Sequence, residues 1–249
     1  MIQNFISALQ FLTIIRLNHK TEDEQTRLAQ SLVYFPLVGI VLGAVLAGVN
    51  QLLTHLSLEP LLVNVILVTL LIIFTGGLHL DGLADTFDAL LSRKPREQML
   101  EVMRDAHIGT MGVLSLVVMI LWKLALLYSL PPQMVNLSLI FMSCFSRYAM
   151  VLAIFTFPYA RQEGKARVFI SGANSWLLIG ATAITLLAAF GAFGLKGEII
   201  LLAVSLAALW WGRFLTCKLG GLTGDTLGAL NELSEVLTLL MIYILTKGG

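Results

Sequence analysis

The sequence predicts an all-α fold: a polytopic integral membrane helical bundle of about seven transmembrane helices, preceded by an amino-terminal amphipathic helix. Composition comes first. Of 249 residues, 57% are hydrophobic and only 12% charged, with a mean hydropathy of +0.87, against about 25% charged residues in soluble proteins. Second, the apolar residues fall in runs close to the roughly 20 residues needed to cross a bilayer. Third, the connections are short except for roughly 30 residues after the second run and about 17 after the fourth. No separate soluble domain fits, so residues 1–249 are read as a single transmembrane domain.

The runs lie at 31–56, 61–80, 111–130, 135–157, 175–193, 198–215 and 226–245. Ahead of them, Phe5, Ala8, Leu9, Leu12 and Ile15 recur at helical spacing without the basic start of a cleavable signal. That pattern is expected of a helix lying in the membrane interface. Glu22-Asp23-Glu24 then marks a solvated turn.

Charge distribution orients the chain. Of 16 Lys and Arg, twelve fall on one side: Arg16, Lys20, Arg27, Arg93, Lys94, Arg96, Arg104, Arg161, Lys165, Arg167, Arg213 and Lys218. Lys196 and Lys247 fall on the other, while Lys123 and Arg147 lie within spans. The positive-inside rule makes the amino terminus cytoplasmic and the carboxyl terminus distal. Arg93, Lys94 and Arg96 read as topogenic charges that contact anionic lipid, and no nucleic-acid partner is expected. Cys144 and Cys217 stand far apart, without the spacing of a zinc site or disulfide framework.

Polar sequence collects on the cytoplasmic side. In Gly76-Gly77-Leu78-His79-Leu80-Asp81-Gly82-Leu83-Ala84-Asp85-Thr86-Phe87-Asp88, three aspartates stand at i, i+4 and i+7, within an arc of roughly 60° on a helix. Like charges packed at a membrane edge call for a cation, and carboxylate oxygens suit Mg²⁺. Asp81, Asp85 and Asp88 are therefore candidate metal ligands for phosphate chemistry. A second stripe, Asp225, Glu232 and Glu235, opens the last run and spans roughly 80°. Gly220-Gly221-Leu222-x-x-Asp225 echoes Gly76-Gly77-Leu78-x-x-Asp81, with Glu232 and Asp88 each seven residues further on. Two matched stripes could face one another across shared cations.

Between them, Arg104-Asp105-Ala106-His107-Ile108-Gly109-Thr110-Met111-Gly112 leads into the third run. Gly109 and Gly112 allow close backbone approach to a phosphate, and Asp105 could complete a metal shell. His79 and His107 are open to three uses: general base, hydrogen-bonding support of the acidic cluster, or structure. Arg161 and Lys165 offer groups suited to a diphosphate, or serve as topogenic charge. Lys123 and Arg147 are buried in spans, where a charge costs at least about 2.5 kcal/mol; they either contact phosphate or neutralise the buried carboxylates.

Gly76-Gly77-Leu78-His79-Leu80-Asp81-Gly82-Leu83-Ala84-Asp85 together with Gly221-Leu222-Thr223-Gly224-Asp225-Thr226-Leu227-Gly228-Ala229 resembles the cobalamin synthases, the adenosylcobinamide-GDP ribazoletransferases. The likeness extends to Tyr34-Phe35-Pro36-Leu37-Val38-Gly39 and Pro158-Tyr159-Ala160-Arg161 with Glu163-Gly164; the His107 to Gly112 stretch is a looser fit. The resemblance implies a membrane transferase that joins adenosylcobinamide-GDP to α-ribazole, or its 5′-phosphate, and releases GMP with Mg²⁺ as cofactor. It places metal on Asp81, Asp85, Asp88 and Asp105, with Asp225, Glu232 and Glu235 as a second metal or acceptor site. Asp88, Glu232 or His79 is the expected base, and Lys123, Arg147, Arg161, Lys165, Gly109 and Gly112 are expected to bind substrate. The expected location is the bacterial cytoplasmic (inner) membrane, with the site on the cytoplasmic side; homo-oligomers or contacts with other enzymes of the pathway are left open.

Two alternatives stand beside this. A CDP-alcohol phosphotransferase also uses an Asp-Gly-led acidic helix, but its motif has Arg where Asp85 follows Ala84 here. A carboxylate-based transporter would carry its site near the midplane, whereas these clusters lie near one face.

Overall fold

Apolar runs long enough to cross a bilayer fold as helices because hydrocarbon offers their backbone N–H and C=O groups no other partners. The computed structural model describes residues 2–17, 24–161, 163–164, 166–172 and 174–247. Its elements, in order, are α1 (Ile2–Leu12), α2 (Glu24–Gln30), a 3-10 turn (Ser31–Tyr34), α3 (Phe35–His55), α4 (Pro60–Thr75) and α5 (Leu78–Leu91). They continue with α6 (Arg96–Val102), α7 (Thr110–Ser129), α8 (Pro132–Thr156), α9 (Arg167–Ser171), α10 (Ser175–Phe193), α11 (Leu195–Leu219) and α12 (Gly224–Lys247). Among the described residues the one β-type pairing is an isolated bridge between Tyr159 and Leu222.

Among the described residues six helices are long and apolar enough to cross a membrane, beginning with the continuous stretch Thr26–His55; α4 and α5, bent by 89° at their junction, pass the same test only as a pair and bring the number to seven when counted as one span. The expected helix over 61–80 is therefore interrupted. Gly76 and Gly77 both adopt left-handed backbone, with φ of 61° and 69°, which stops α4 and turns the chain. The sixth run is extended at both ends: α11 begins three residues earlier, taking in Lys196, and ends four later, taking in Lys218.

Most of α8 is buried, including Arg147 at 0% exposure, and α3, α10, α11 and α12 pack against it. α3 lies along α8 through Gly39 and Gly43, where an added Cβ would collide with the backbone of Ser143 and Ile140 respectively. Small residues four apart allow this approach, and dispersion between closely packed backbones is the main attraction between helices in lipid. α12 packs against α5, α7 and α8. α1 docks more firmly than an interfacial helix requires. Ala8 and Leu12 are buried, Phe11 meets Phe169 at 4.7 Å between ring centroids, and Ile14 N–H donates to the Phe74 carbonyl at 2.8 Å.

Because the α3–α8 contact tolerates no side chain at Gly43, Gly43→Leu is expected to sharply reduce the yield of monodisperse protein in mild detergent. Gly48→Leu, where a Cβ would meet nothing within 4 Å, serves as the control. Equal size-exclusion profiles for the two variants would show that this packing is dispensable.

Candidate active site

The glycine pairs in the two motifs each end a helix and start another with an aspartate in its first turn. α4 stops at Gly76 and α5 opens with Asp81 in its first turn; α11 stops at Gly220 and α12 opens with Asp225. The start of α12 is fixed by Thr223 and Thr226: Thr226 N–H donates to Thr223 Oγ1 at 3.2 Å, and Thr223 N–H to Thr226 Oγ1 at 2.8 Å. This reciprocal pairing satisfies two helix-start donors in the manner of a capping box.

The two helix starts are then pressed together. A Cβ on Gly82 would stand 2.6 Å from the Asp225 carbonyl oxygen, and one on Gly228 would stand 3.1 Å from that of His79. This crossing sets Asp85 within electrostatic reach of Asp81, Asp225 and Asp88. A third segment joins them through the 159–222 bridge: Ala160 N–H donates to Leu222 O, and Leu222 N–H to Pro158 O, both at 2.8 Å. That pairing delivers Arg161, whose Nη2 lies 2.8 Å from Asp225 Oδ2.

Asp81, Asp225 and Arg161 meet at a cavity of about 300 Å³. His79, Asp81, Arg161 and Asp225 supply its polar wall, and Phe35 and Phe169 part of the apolar one. His79 is only 2% exposed, and among the described residues neither ring nitrogen has a hydrogen-bond partner. Tyr159 also lines the cavity; burial pushes its hydroxyl above the ordinary tyrosine value, against the opposing pull of Arg161.

The other expected residues take different places. Asp88 accepts Gly109 N–H at 2.7 Å and Gly112 N–H at 2.8 Å, so its carboxylate occupies the space beside both glycines and caps α7. Glu232 and Glu235 lie deeper, with Lys123 and Arg147. Lys123 Nζ donates to Glu232 Oε2 at 2.7 Å and to Glu235 Oε2 at 2.5 Å; Arg147 Nη1 meets Glu235 Oε1 at 2.5 Å. All four are at most 4% exposed. Asn231 Nδ2 adds a hydrogen bond to Glu235 Oε1 at 3.1 Å, while Arg147 Nε and Nη2 have no hydrogen-bond partner among the described residues. Two cations thus balance two anions.

Asp105 sits apart in the α6–α7 loop, paired with exposed His107 at 2.7 Å; hydrogen bonds from His107 hold its carboxyl below the usual aspartate value. Lys165 lies outside the described residues. Among the described residues no three His, Cys, Asp or Glu side chains are already gathered as a metal-binding group. Arg96 is read from the sequence only as a topogenic charge, and Thr223 is not singled out there. Arg96 Nε donates to Leu219 O at 2.6 Å and its Nη2 to Ala160 O at 3.2 Å, bracing the segments that carry Asp225 and Arg161. Contacts to main-chain carbonyls leave no mark in a residue pattern, although the threonine pair at the start of α12 was a readable cap signal.

Multiple helices able to cross a membrane, with carboxylates from two helix starts and a guanidinium on one cavity, define a polytopic membrane protein. The chain belongs to the cobalamin-5-phosphate synthase (CobS) family, whose profile matches residues 4–243. It is 38% identical over 237 residues to an adenosylcobinamide-GDP ribazoletransferase of Desulforamulus reducens, covering 95% of this chain and 94% of that one. A protein of the same name from Geotalea daltonii is 37% identical over 246 residues, with 97% of each chain covered. One from Fusobacterium nucleatum is 34% identical, with 98% of each covered. No solved structure matches the chain.

Removing one member of the buried quartet leaves a charge uncompensated, so Lys123→Met is expected to cost about 3–5 kcal/mol and to lower the thermal unfolding midpoint in detergent. Lys123→Met with Glu232→Gln should recover much of the loss, since Arg147 and Glu235 then remain as a pair. A double variant as unstable as the single one would exclude this charge balance as the cause.

Proposed function

We propose that this chain transfers the adenosylcobinamide phosphate of adenosylcobinamide-GDP to α-ribazole, or to α-ribazole 5′-phosphate, giving adenosylcobalamin or its 5′-phosphate and GMP. The observation that carries this reading is the convergence of Asp81 and Asp225, from opposite parts of the chain, on one cavity with Arg161. Family membership favours it over a CDP-alcohol phosphotransferase or a transporter.

Mg²⁺ is the proposed cofactor. Asp81, Asp85 and Asp225 would hold it; their hard oxygen donors fit an ion that takes one or two carboxylates, substrate phosphates and water. When bound, it neutralises the diphosphate and polarises the phosphorus under attack. The aromatic wall of Phe35 and Phe169 takes the flat base of α-ribazole. A ribose hydroxyl then gives its proton to the unpartnered ring of His79 as its oxygen bonds to the cobinamide-side phosphorus. The bond from that phosphorus to the bridging oxygen breaks, GMP leaves with the electron pair, and Arg161 offsets its developing charge. In this scheme Asp88, Glu232 and Glu235 order α7 and α12 instead of binding the ion. The bundle lies in the bacterial cytoplasmic membrane with its amino terminus and site facing the cytoplasm; the concentration of Lys and Arg at that end supports this.

The direct test is GMP release by purified protein supplied with adenosylcobinamide-GDP, α-ribazole and Mg²⁺, with each omitted in turn. Turnover should need all three, and release of CMP when CDP-diacylglycerol replaces the donor would overturn the assignment. Asp81→Asn and Asp225→Asn should lose nearly all GMP release while remaining monodisperse; near-normal turnover in either would remove it from the metal site. His79→Gln should lower kcat about 100- to 1000-fold with little change in KM, the range for loss of a general base. An unchanged kcat would assign the proton elsewhere.

A further inference from the structure

A second cavity, of about 540 Å³, lies beside the first and has no part in the scheme above. Three stretches of chain wall both. On α1, Asn4 lines the larger cavity and Phe11 the smaller; where the 3-10 turn meets α3, Tyr34 lines the larger and Phe35 the smaller; on α9, Val168 lines the larger and Phe169 the smaller. The start of α10 closes the larger one with Asn174 and Trp176. A ligand with a side arm can therefore place its body in one cavity and the end of its arm in the other.

The larger cavity differs in kind from its neighbour. No residue lining it is charged, whereas Asp81, Asp225 and Arg161 meet at the smaller one. Its polar groups are the carboxamides of Asn4, Gln30 and Asn174, with the hydroxyls of Thr26 and Tyr34. Asn4 Nδ2 donates to Gln30 Oε1 at 3.0 Å, and Asn174 Oδ1 accepts the Trp176 N–H at 3.2 Å. Among the described residues, Asn4 Oδ1, Gln30 Nε2 and Asn174 Nδ2 make no other hydrogen bond. An acceptor and two donors are thus left for a ligand, and neutral carboxamides pair well with others of their kind but poorly with phosphate, which favours cationic donors. Trp176, 75% exposed, and Tyr34 add flat apolar faces. A tryptophan that only anchored a helix at the bilayer interface would need no cavity beside it.

We propose that this cavity holds the corrin macrocycle of the donor. This rests on the phosphate-transfer reading of the neighbouring cavity and adds where the bulk of that substrate lies. A corrin is broad and nearly flat, its edge carries neutral carboxamides, and a side arm joins it to the phosphate. With the ring against Trp176 and its amides on Asn4, Gln30 and Asn174, the arm runs along the shared walls to bring the phosphorus to Asp81 and Asp225. Guanine also has an amide-like edge, but a single base would leave most of this volume unfilled.

The test uses the full chain in detergent and measures binding of adenosylcobinamide, the corrinoid without its nucleotide, and of guanosine by equilibrium dialysis, alongside KM for each substrate. Asn4→Leu with Gln30→Leu should weaken adenosylcobinamide about tenfold and raise KM for adenosylcobinamide-GDP similarly, the loss expected for one or two neutral hydrogen bonds. Trp176→Ala should weaken it as well, and Trp176→Phe should recover most of that loss. Guanosine affinity and KM for α-ribazole should not change, and Gln51→Leu, an exposed amide near the other end of α3, should behave as wild type. Wild-type affinity in the double variant, failure of the wild type to bind adenosylcobinamide, loss of guanosine binding in these variants, or an equal rise in KM for both substrates would overturn the corrin site. If adenosylcobinamide binds through these residues but no GMP is released from the donor, the corrin site stands and the assigned reaction falls.

Discussion

The crossing of α5 over the start of α12 is the constraint on which the rest of the site depends. Two glycines, Gly82 and Gly228, let the backbones come so close that a methyl group on the first would strike the Asp225 carbonyl. Carboxylates on the two helices repel each other, so nothing in the acidic face itself favours this approach. The opposing attraction lies below it. Glu232 and Glu235 extend from the same helix as Asp225 and are held by Lys123 of α7 and Arg147 of α8. Once these four charges are buried, separating any pair exposes an uncompensated charge to a medium of low dielectric. The quartet thus fixes the rotation and depth of α12, and the aspartate near its start is carried to Asp81 as a consequence.

Depth divides the charged residues into two kinds. Glu232 is seven residues beyond Asp225, or about 10 Å further along the helix, and there both acidic groups meet protein cations. At the rim, Asp81 is exposed and Asp225 about a quarter exposed at its side chain. Arg161 matches one of these carboxylates, leaving the face net negative. A mobile cation from solution can reach the rim but not the quartet. The same residue chemistry therefore acts as a fixed strut at one level and stands open to solvent about two to three turns higher.

The same distinction explains how far the residues could be read in advance. Hydropathy marked the crossings because burial in lipid requires it at nearly every position. The glycine pairs and aspartate stripes marked one end of the bundle as the polar one. What could not be read was distance along an axis. A helical projection puts Asp81 and Asp88, or Asp225 and Glu232, on one face while discarding the rise between them. Asp88 consequently reaches the start of α7 and not the cavity, and Glu232 reaches Lys123. Residues 61–80 looked continuous because glycines are ordinary in membrane helices, and hydropathy does not register a positive φ. The base remained open among Asp88, Glu232 and His79; only the packing showed that the first two carboxylates already have donors and that the imidazole has none.

The loops complete the site with a different kind of interaction. Leu219, Ala160 and Leu222 contribute main-chain groups, and Arg96 ties two of these carbonyls together from the side. A site built only from helix starts would place carboxylates well and cations poorly, since a long side chain on a flexible loop loses rotamer freedom when it is ordered. The bridge between Tyr159 and Leu222 removes much of that cost before any substrate arrives, because it orders the backbone on which Arg161 stands. Arg96 does the same for the joint between α11 and α12. The membrane bundle can therefore be understood as the rigid half of this region, setting carboxylates at a defined depth, and the braced loops as the half that brings positive charge beside them.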